Sequence, residues 1–547
     1  MANVDGLADS GVGRLIDGSP APVRDLVATT YALGIQRQRF GPEFRRFYRL
    51  LAGSEHASAE RARRAQAARL GWYLRHAIVA TRYYAELAEE LDIGEAVREL
   101  TAGAVPGSGR GAGNADAALS ASAWHDAVAA LRLFPPLERE TVRARRLDLQ
   151  CGGARGGRPR VGRPVTTHTS GTTGTALELA IGRAGLQRSY ACVWHHYSWF
   201  GLGLNARVAA FVSQTITAGD RERPPYWVTD LLRRERLFSS YHVSPGSAPA
   251  YARALCEFRP EILRGLPSSI GALAHFALEQ GLELPRPALV VTTSEALGAG
   301  QRAVIAEAFG APVVEFYGTT ERAVHAFECP EGSLHVLPQA GVVEVVKDDG
   351  TPAAPGEEGE LLCTGLLDDV MPLLRYRIGD RAVLGRDFGG VGPAGGHGSG
   401  DERCAGREAT APRGEGTCRC GRPGTVLREL TGRVDDVIVT PEGRRIGRLD
   451  QPFKHTPAIR EAQVVQDRRD RLLVRVVPRS GFGDEAQEAA RRLLEAKVGR
   501  SMELRFELVE EIPRGPGGKF QVTRVAPAAR VRLQRGSRAQ GSDGRRR

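Results

Sequence analysis

The sequence predicts a large N-terminal α/β domain with mixed sheets over residues 1–431, a small α+β domain over 432–528 and a basic disordered tail over 529–547. Three observations carry this expectation. Between about 165 and 385, short β-rich runs alternate with helix-like stretches, the pattern of a sheet covered by helices. Residues 386–417 interrupt it with Gly, Pro, Ala and Arg in no period, which reads as a disordered insertion. Beyond Gly432, β-rich runs and one helical stretch resume on a smaller scale, as a second core requires.

Residues 1–100 are rich in Ala, Leu, Arg and Glu with little alternation, a helical bias. Residues 102–115 and 151–163 are Gly-, Ala-, Arg- and Pro-rich and read as loops. Strand-like runs follow at Arg207–Val212, Leu289–Thr293, Val313–Phe316, Gly341–Val346 and Glu360–Thr364, with helices predicted over Ser268–Gln280 and Gln301–Phe309. In the small domain, Asp436–Thr440, Ala462–Val465, Arg471–Val477 and Met502–Val509 read as strands, and Asp484–Lys497 as a helix. The domain boundary falls at Thr431-Gly432, and no internal repeat is evident.

Composition excludes several classes. With 547 residues, 42% of them hydrophobic, the chain can build two cores. No apolar run reaches the roughly 18 residues of a membrane span. Asp5, Asp9 and Asp17 in an N-terminus without an apolar stretch argue against a signal peptide, so the cytoplasm is the expected compartment and no membrane partner is expected. The net charge of +11 does not indicate a nucleic-acid surface. From Arg530 to Arg547 seven arginines face one aspartate, so much of the excess sits in the tail, and aromatics do not interleave with it.

Chemistry enters with a lysine. The only lysines are Lys347, Lys454, Lys497 and Lys519, and the last lies in Pro513-Arg514-Gly515-Pro516-Gly517-Gly518-Lys519. Where arginine is the default cation, a lysine on a glycine-rich loop suits a site needing a compact ammonium with three rotatable donors. Alone, a surface lysine on a flexible loop would read the same. A second element, Thr169-Ser170-Gly171-Thr172-Thr173-Gly174-Thr175, offers backbone N–H groups and hydroxyls for phosphate oxygens. It is not a Walker loop, because no lysine follows Gly174.

Three more segments follow in order: Phe316-Tyr317-Gly318-Thr319-Thr320-Glu321, Tyr376-Arg377-Ile378-Gly379-Asp380 and Gly432-Arg433-Val434-Asp435-Asp436. With the hydroxyl-rich loop before them and the lysine loop after, the series from about Arg69 to Val525 resembles the adenylate-forming superfamily of acyl-CoA ligases and adenylation domains. Met371-Pro372-Leu373-Leu374-Arg375, the pair Ser294-Glu295, Leu70-Gly71-Trp72-Tyr73-Leu74-Arg75-His76 and Tyr83-Tyr84 are similar to the phenylacetate–CoA ligase branch.

The resemblance implies the adenylate-forming enzyme fold and a set of roles. Ser170, Gly171, Thr172, Thr173 and Gly174 would hold the β and γ phosphates of ATP, and Glu321 would hold Mg²⁺. Thr320 would reach the α-phosphate, with Gly318, Thr319, Ser294 and Glu295 completing the nucleotide site, and Tyr317 would stack on adenine. Asp380 would bind the ribose diol, for which two carboxylate oxygens are suited. Arg433 would contact ribose or phosphate, Lys519 would bridge the acid and the α-phosphate, and the small domain would rotate about Asp435. Three departures stand out: Ala176 where the family carries Pro, Gly447-Arg448-Leu449-Asp450 in place of an acidic helix start, and the stretch 386–417.

Eight cysteines in a chain expected in the cytoplasm argue against a disulfide framework. Cys418-Arg419-Cys420 on a turn, with Cys329 and His335, would make a tetrahedral Cys₃His site for structural Zn²⁺, with Cys404 as a substitute ligand and buried free thiols as the alternative. Aromatics concentrate from Tyr190 to Phe200, so His195, His196, Tyr197 and Trp199 are candidates to line an aryl-acid pocket, although such stripes also pack cores. The first functional reading is ATP-dependent activation of a small carboxylic acid, followed by transfer to the thiol of CoA or a carrier protein. The second, in the same fold, is an amide ligase or an adenylyltransferase. The third is a nucleotide-binding protein without turnover. A homodimer is open as the assembly.

Overall fold

The computed structural model describes residues 21–102, 122–152, 164–169, 177–212, 216, 221, 223–385, 418–433, 438–441, 445–446, 449, 453, 456, 458–479, 481–499, 501–513, 520 and 522–526. The expected helical bias of the first hundred residues is met by Ala21–Arg39, Pro42–Ser54, Ala59–Ala80, Arg82–Glu90 and Gly94–Leu100. Ser58 and Thr81 cap two of these by accepting the N–H groups of Arg61 and Tyr84. Tyr73, Leu74 and Ala77 bury one helix face against Tyr376 and Leu374 of the large sheet region.

Among the described residues that sheet has twelve strands. Its order is Gly341–Val346, Glu358–Gly365, Tyr376–Leu384, Val426–Arg433, Leu334–Val336, His325–Glu328, Val313–Gly318, Leu289–Thr293, Ile262–Gly265, Val208–Val212, Glu235–Ser239, Trp227–Asp230. The strands from Val313–Gly318 to Glu235–Ser239 run parallel to one another. Everything beyond them on either side is antiparallel. The parallel strands read as apolar runs such as Leu289-Val290-Val291 because helices Pro267–Gln280 and Ala299–Phe309 bury one face. Helix Arg183–Ser198 packs into the separate cluster on the other face.

The small domain has its own core, in which Val464, Leu472, Val474, Ala490, Leu494 and Leu504 meet. Its sheet runs Glu503–Leu508, Arg471–Pro478, Ile459–Arg468, Thr523–Val525, and Ile438–Val439 pairs with Arg445–Ile446. The last strand of the large sheet ends at Arg433, two residues past the expected boundary. The expected insertion 386–417 and the tail 529–547 lie outside the described residues. Among the described residues no helix is long and apolar enough to cross a membrane.

Candidate active site

In a sheet with parallel strands, ligands bind in the crevice beyond the strands' carboxyl ends. Two of the expected site segments leave the sheet there. Ser294 follows Leu289–Thr293 and adopts φ +70°, a left-handed backbone that is costly outside glycine and recurs at functional turns. Tyr317 and Gly318 end the neighbouring strand, and Thr319, Thr320 and Glu321 follow in a turn closed by the Arg322 N–H donating to the Thr319 carbonyl at 3.1 Å. Gly318 is required by contact rather than torsion. A Cβ there would stand 2.6 Å from Cζ of Phe316, whose ring stacks on Phe327 at 4.6 Å, so the ring would have to shift to admit it.

Side chains join these turns to strand Tyr376–Leu384. The Tyr317 hydroxyl donates to Asp380 Oδ2 at 2.7 Å, and the Tyr376 hydroxyl donates to Glu321 Oε1 at 3.3 Å. Gly379, just before Asp380, sits at φ +80°, which turns the strand where the carboxylate must project. Backbone register sets Arg433 opposite Asp380 in the antiparallel pair. Tyr317, Glu321, Tyr376, Asp380 and the Arg433 backbone are thus brought together although they span more than a hundred residues of sequence.

Glu295 gathers three donors. Its Oε2 accepts the Ser268 N–H at 3.1 Å and its Oε1 accepts the Ser268 hydroxyl at 3.1 Å, both at the start of helix Pro267–Gln280, where a carboxylate is favoured by the helix dipole. Oε1 also accepts the Phe520 N–H at 2.8 Å. Phe520, the residue that follows Lys519 in sequence, thus meets the large lobe beside Ser294-Glu295. Lys519 itself, the loop Ser170, Gly171, Thr172, Thr173 and Gly174, and Asp435 lie outside the described residues, as do the Arg433 side chain and Cys404.

A pocket opens between helix Arg183–Ser198 and the strand ends. Ser189, Tyr190 and Val193 form its helix wall, Thr293, Ser294 and Phe316 its floor, and Gly318, Thr319, Arg322 and His325 its far side. His195, His196, Tyr197 and Trp199, expected as pocket residues, are not among its lining. They lie farther along the helix and are buried. His196 Nε2 pairs with the Glu328 carbonyl at 2.8 Å, and the Trp199 indole donates to His195 Nε2 at 3.2 Å. Burial pushes the His195 pKa down to about 4 and that of His196 to about 3, so both stay neutral. Helical pitch turns His195 and His196 away from the face that carries Tyr190 and Val193, and His196 and Trp199 pack onto Phe327 and beside His335. Tyr197 shares that face but lies a turn or more farther along, where it packs edge-on against Trp194.

The second constellation does assemble. Ligand atoms of Cys329, His335, Cys418 and Cys420 all lie within 4.8 Å of one another. Cys329 Sγ is 3.6 Å from Cys418 Sγ, and Cys420 Sγ is 3.3 Å from His335 Nε2. Zinc bonds of about 2.0–2.3 Å in a tetrahedron place ligand atoms roughly 3.3–3.8 Å apart, the range in which the Cys329–Cys418 and Cys420–His335 separations fall. Two turns shape it: the Cys329 N–H donates to the Ser333 carbonyl, and the Gly421 N–H to that of Cys418. Arg422 pairs with Glu55 and covers the Trp199 ring at 4.5 Å, which fixes the indole behind the cluster.

Among solved structures, 2-hydroxyisobutyryl-CoA ligase in the post-adenylation state, in complex with R3-HIB-AMP, superposes with a TM-score of 0.58 at 18% identity, covering 89% of this chain and 94% of that one. The chain has the adenylate-forming enzyme fold. Residues 438–525 match the family described as the CapK C-terminal domain. Protein CapK of Staphylococcus aureus is 23% identical over 357 residues, which cover 64% of this chain and 72% of that protein. Phenylacetate-coenzyme A ligase of Thermus thermophilus is 27% identical over 205 residues, 36% of this chain and 39% of that ligase. The sequence reading missed Tyr376 as a partner of Glu321, Ser268 as a partner of Glu295, and Arg322 and His325 as pocket residues. Only Arg322 carried a signal, its place directly after the Thr319-Thr320-Glu321 turn.

Proposed function

We propose that this chain is an ATP-dependent acid–thiol ligase that activates a small carboxylic acid as its acyl-adenylate and passes the acyl group to a thiol, CoA or a carrier protein. In the first step a carboxylate oxygen bonds to the α-phosphorus, the bond to the bridging oxygen breaks, and pyrophosphate leaves. In the second the thiol sulfur bonds to the acyl carbon and AMP departs, with the thiol proton lost to solvent or a base. The carrying observation is the crevice where Tyr317–Asp380 and Tyr376–Glu321 pairs meet beside Glu295, which holds the N–H of the residue following Lys519.

Asp380 would take the ribose hydroxyls, with Tyr317 oriented by it toward adenine. Glu321 suits Mg²⁺, since Tyr376 engages one of its oxygens and the other takes no hydrogen bond among the described residues; the ion would neutralise phosphate charge. Thr320 and the loop Ser170–Gly174 would hold phosphate oxygens. Lys519 would meet charge building between acid and α-phosphate, a contribution of about 2.7–4 kcal/mol or more for a single preorganised donor. Asp435 would be the pivot that withdraws it. Tyr190 and Phe316 offer aromatic walls, which support an aryl body for the acid. Cys329, His335, Cys418 and Cys420 would hold a structural Zn²⁺ remote from these steps.

The test is ATP–pyrophosphate exchange across aryl, aliphatic and amino acids, then CoA addition with the best of them. Exchange with thioester formation is the expected outcome, and an AMP-dependent product with amines but none with CoA would replace the acceptor. Lys519→Ala is expected to abolish exchange while sparing thioester formation from supplied acyl-adenylate. Equal loss of both would refute the role given to the lysine.

A further inference from the structure

Arg322 is 5% exposed, yet its Nε and Nη1 have no hydrogen-bond partner among the described residues. A guanidinium cannot shed its charge in a protein, and an uncompensated buried charge costs several kcal/mol. The residue also sits at φ +54°, a backbone that an arginine adopts only where its surroundings enforce it. The chain therefore holds a strained, buried cation with two unanswered donors at the wall of the acid pocket.

Nearby charges do not resolve it. Among the described residues Asp368 is the carboxyl whose charge acts on Arg322, but its Oδ1 is engaged by the N–H groups of Gly182 at 3.0 Å and Val370 at 3.3 Å. Arg322 forms no ion pair within 4 Å among the described residues. Arg39 adds a second positive charge, lying 4.7 Å over the ring of Tyr190. Two neighbours on the same wall also carry buried polar atoms without partners among the described residues, Thr319 Oγ1 and His325 Nδ1. His325 meets the Ser189 hydroxyl through Nε2 at 2.7 Å, so a neutral ring can present Nδ1–H as a donor.

Buried polar atoms in a functional pocket are paired when the ligand supplies the missing group. We propose that the acid activated here carries a second anionic group, and that Arg322, aided by Thr319 and His325, binds it. This assignment rests on the activation reading above and specifies its substrate class: a dicarboxylic acid, or an acid bearing another oxyanion, rather than a purely apolar aryl or fatty acid.

The experiment compares kcat/KM for ATP–pyrophosphate exchange within matched pairs, phenylacetate against 4-carboxyphenylacetate and butyrate against glutarate. A site built to bind a polar group discriminates strongly against the analogue lacking it, so the dianion is expected to lead in at least one pair by on the order of 100-fold or more. Arg322→Gln is expected to bring that ratio to within about tenfold, and Arg322→Lys, which keeps the charge, to retain part of it. Monoacids exchanging as well as dianions in both pairs overturn the subsite while leaving activation intact. So does an Arg322→Gln enzyme in which both members of a pair lose equally, since that places the cation on the reacting carboxylate or in the scaffold. Silence of the wild-type enzyme across the whole acid panel overturns the activation reading, and the subsite with it. Should the variants fail to fold, the wild-type pairs decide alone.

Discussion

Glu295→Ala separates the scaffold from the half-reactions. The carboxylate takes two donors from Ser268 at 3.1 Å and one from Phe520 at 2.8 Å. Hydrogen bonds to a charged group contribute about 1.5–3 kcal/mol each. The Ser268 contacts lie within the large lobe, so their loss destabilises the fold whatever the small lobe does. The Phe520 contact joins the lobes and favours only the arrangement that brings the lysine-bearing segment to the crevice. Losing about 1.5–3 kcal/mol from that arrangement lowers its population roughly 10- to 150-fold. Pyrophosphate exchange is therefore expected to fall by about that factor, while thioester formation from supplied acyl-adenylate changes by less than about threefold. The two rates are measured on one preparation, with a thermal melt to register the Ser268 loss. A variant whose melting temperature falls but whose exchange is untouched, or whose two half-reactions fall together, would refute the reasoning.

Three other expectations follow from packing, metal chemistry and charge. Gly318→Ala forces a Cβ into the Phe316 ring and is expected to cost about 1–3 kcal/mol and to raise KM for the acid, read from denaturation and exchange kinetics; an unshifted KM would show that the ring yields. Natively purified protein is expected to carry about one zinc per chain, and Cys418→Ser to lose it with a lower melting temperature; metal analysis well below that value removes the site. Burial first, and Asp369 nearby, push the Asp368 pKa up to about 7 from an ordinary 3.8. The folded state then binds a proton that the unfolded chain has lost between about pH 4 and 7, so stability falls as pH rises through this window. Asp368→Asn, whose amide oxygen can still accept from Gly182 and Val370, is expected to flatten that slope and to gain most at pH 8. A wild-type-like pH dependence in the variant would contradict it.

Much of this site was legible in the sequence because its parts sit in short ordered motifs that carry the family resemblance. Tyr317-Gly318 closes one strand, Gly379-Asp380 lies within another, and Cys418-Arg419-Cys420 forms the expected turn. Strands with continuous apolar runs, Leu289–Thr293 and Gly341–Val346, match residue for residue. Strands Glu235–Ser239 and Tyr376–Leu384 escaped notice because charged residues such as Arg236, Arg377 and Arg381 interrupt their apolar pattern. Pairing partners elsewhere in the fold satisfy those charges: Arg377 meets Glu138 and Glu360, and Arg381 meets Asp348 and Glu358. The aromatic run from Tyr190 to Phe200 was readable as a helix-rich cluster but not by face, since which turn meets the crevice depends on where the helix starts. Arg322 could be placed, directly after the Thr319-Thr320-Glu321 turn, but not weighed. Its significance lies in missing partners, a property of the folded environment and not of residue type.

The cysteine turns have a bearing on tolerance to change. Gly385 donates its N–H to the Val426 carbonyl at 2.8 Å, and Cys418 and Cys420 meet Cys329 and His335 just before the strand that carries Val426. Both feet of the excursion from 386 to 417 are thereby clamped onto one antiparallel register, the same register that leads on to Arg433. Lengthening a closed segment twofold adds only about 0.6 kcal/mol of ordering entropy. An insertion between those clamps is therefore expected to leave the pairing of Tyr376–Leu384 with Val426–Arg433 in place.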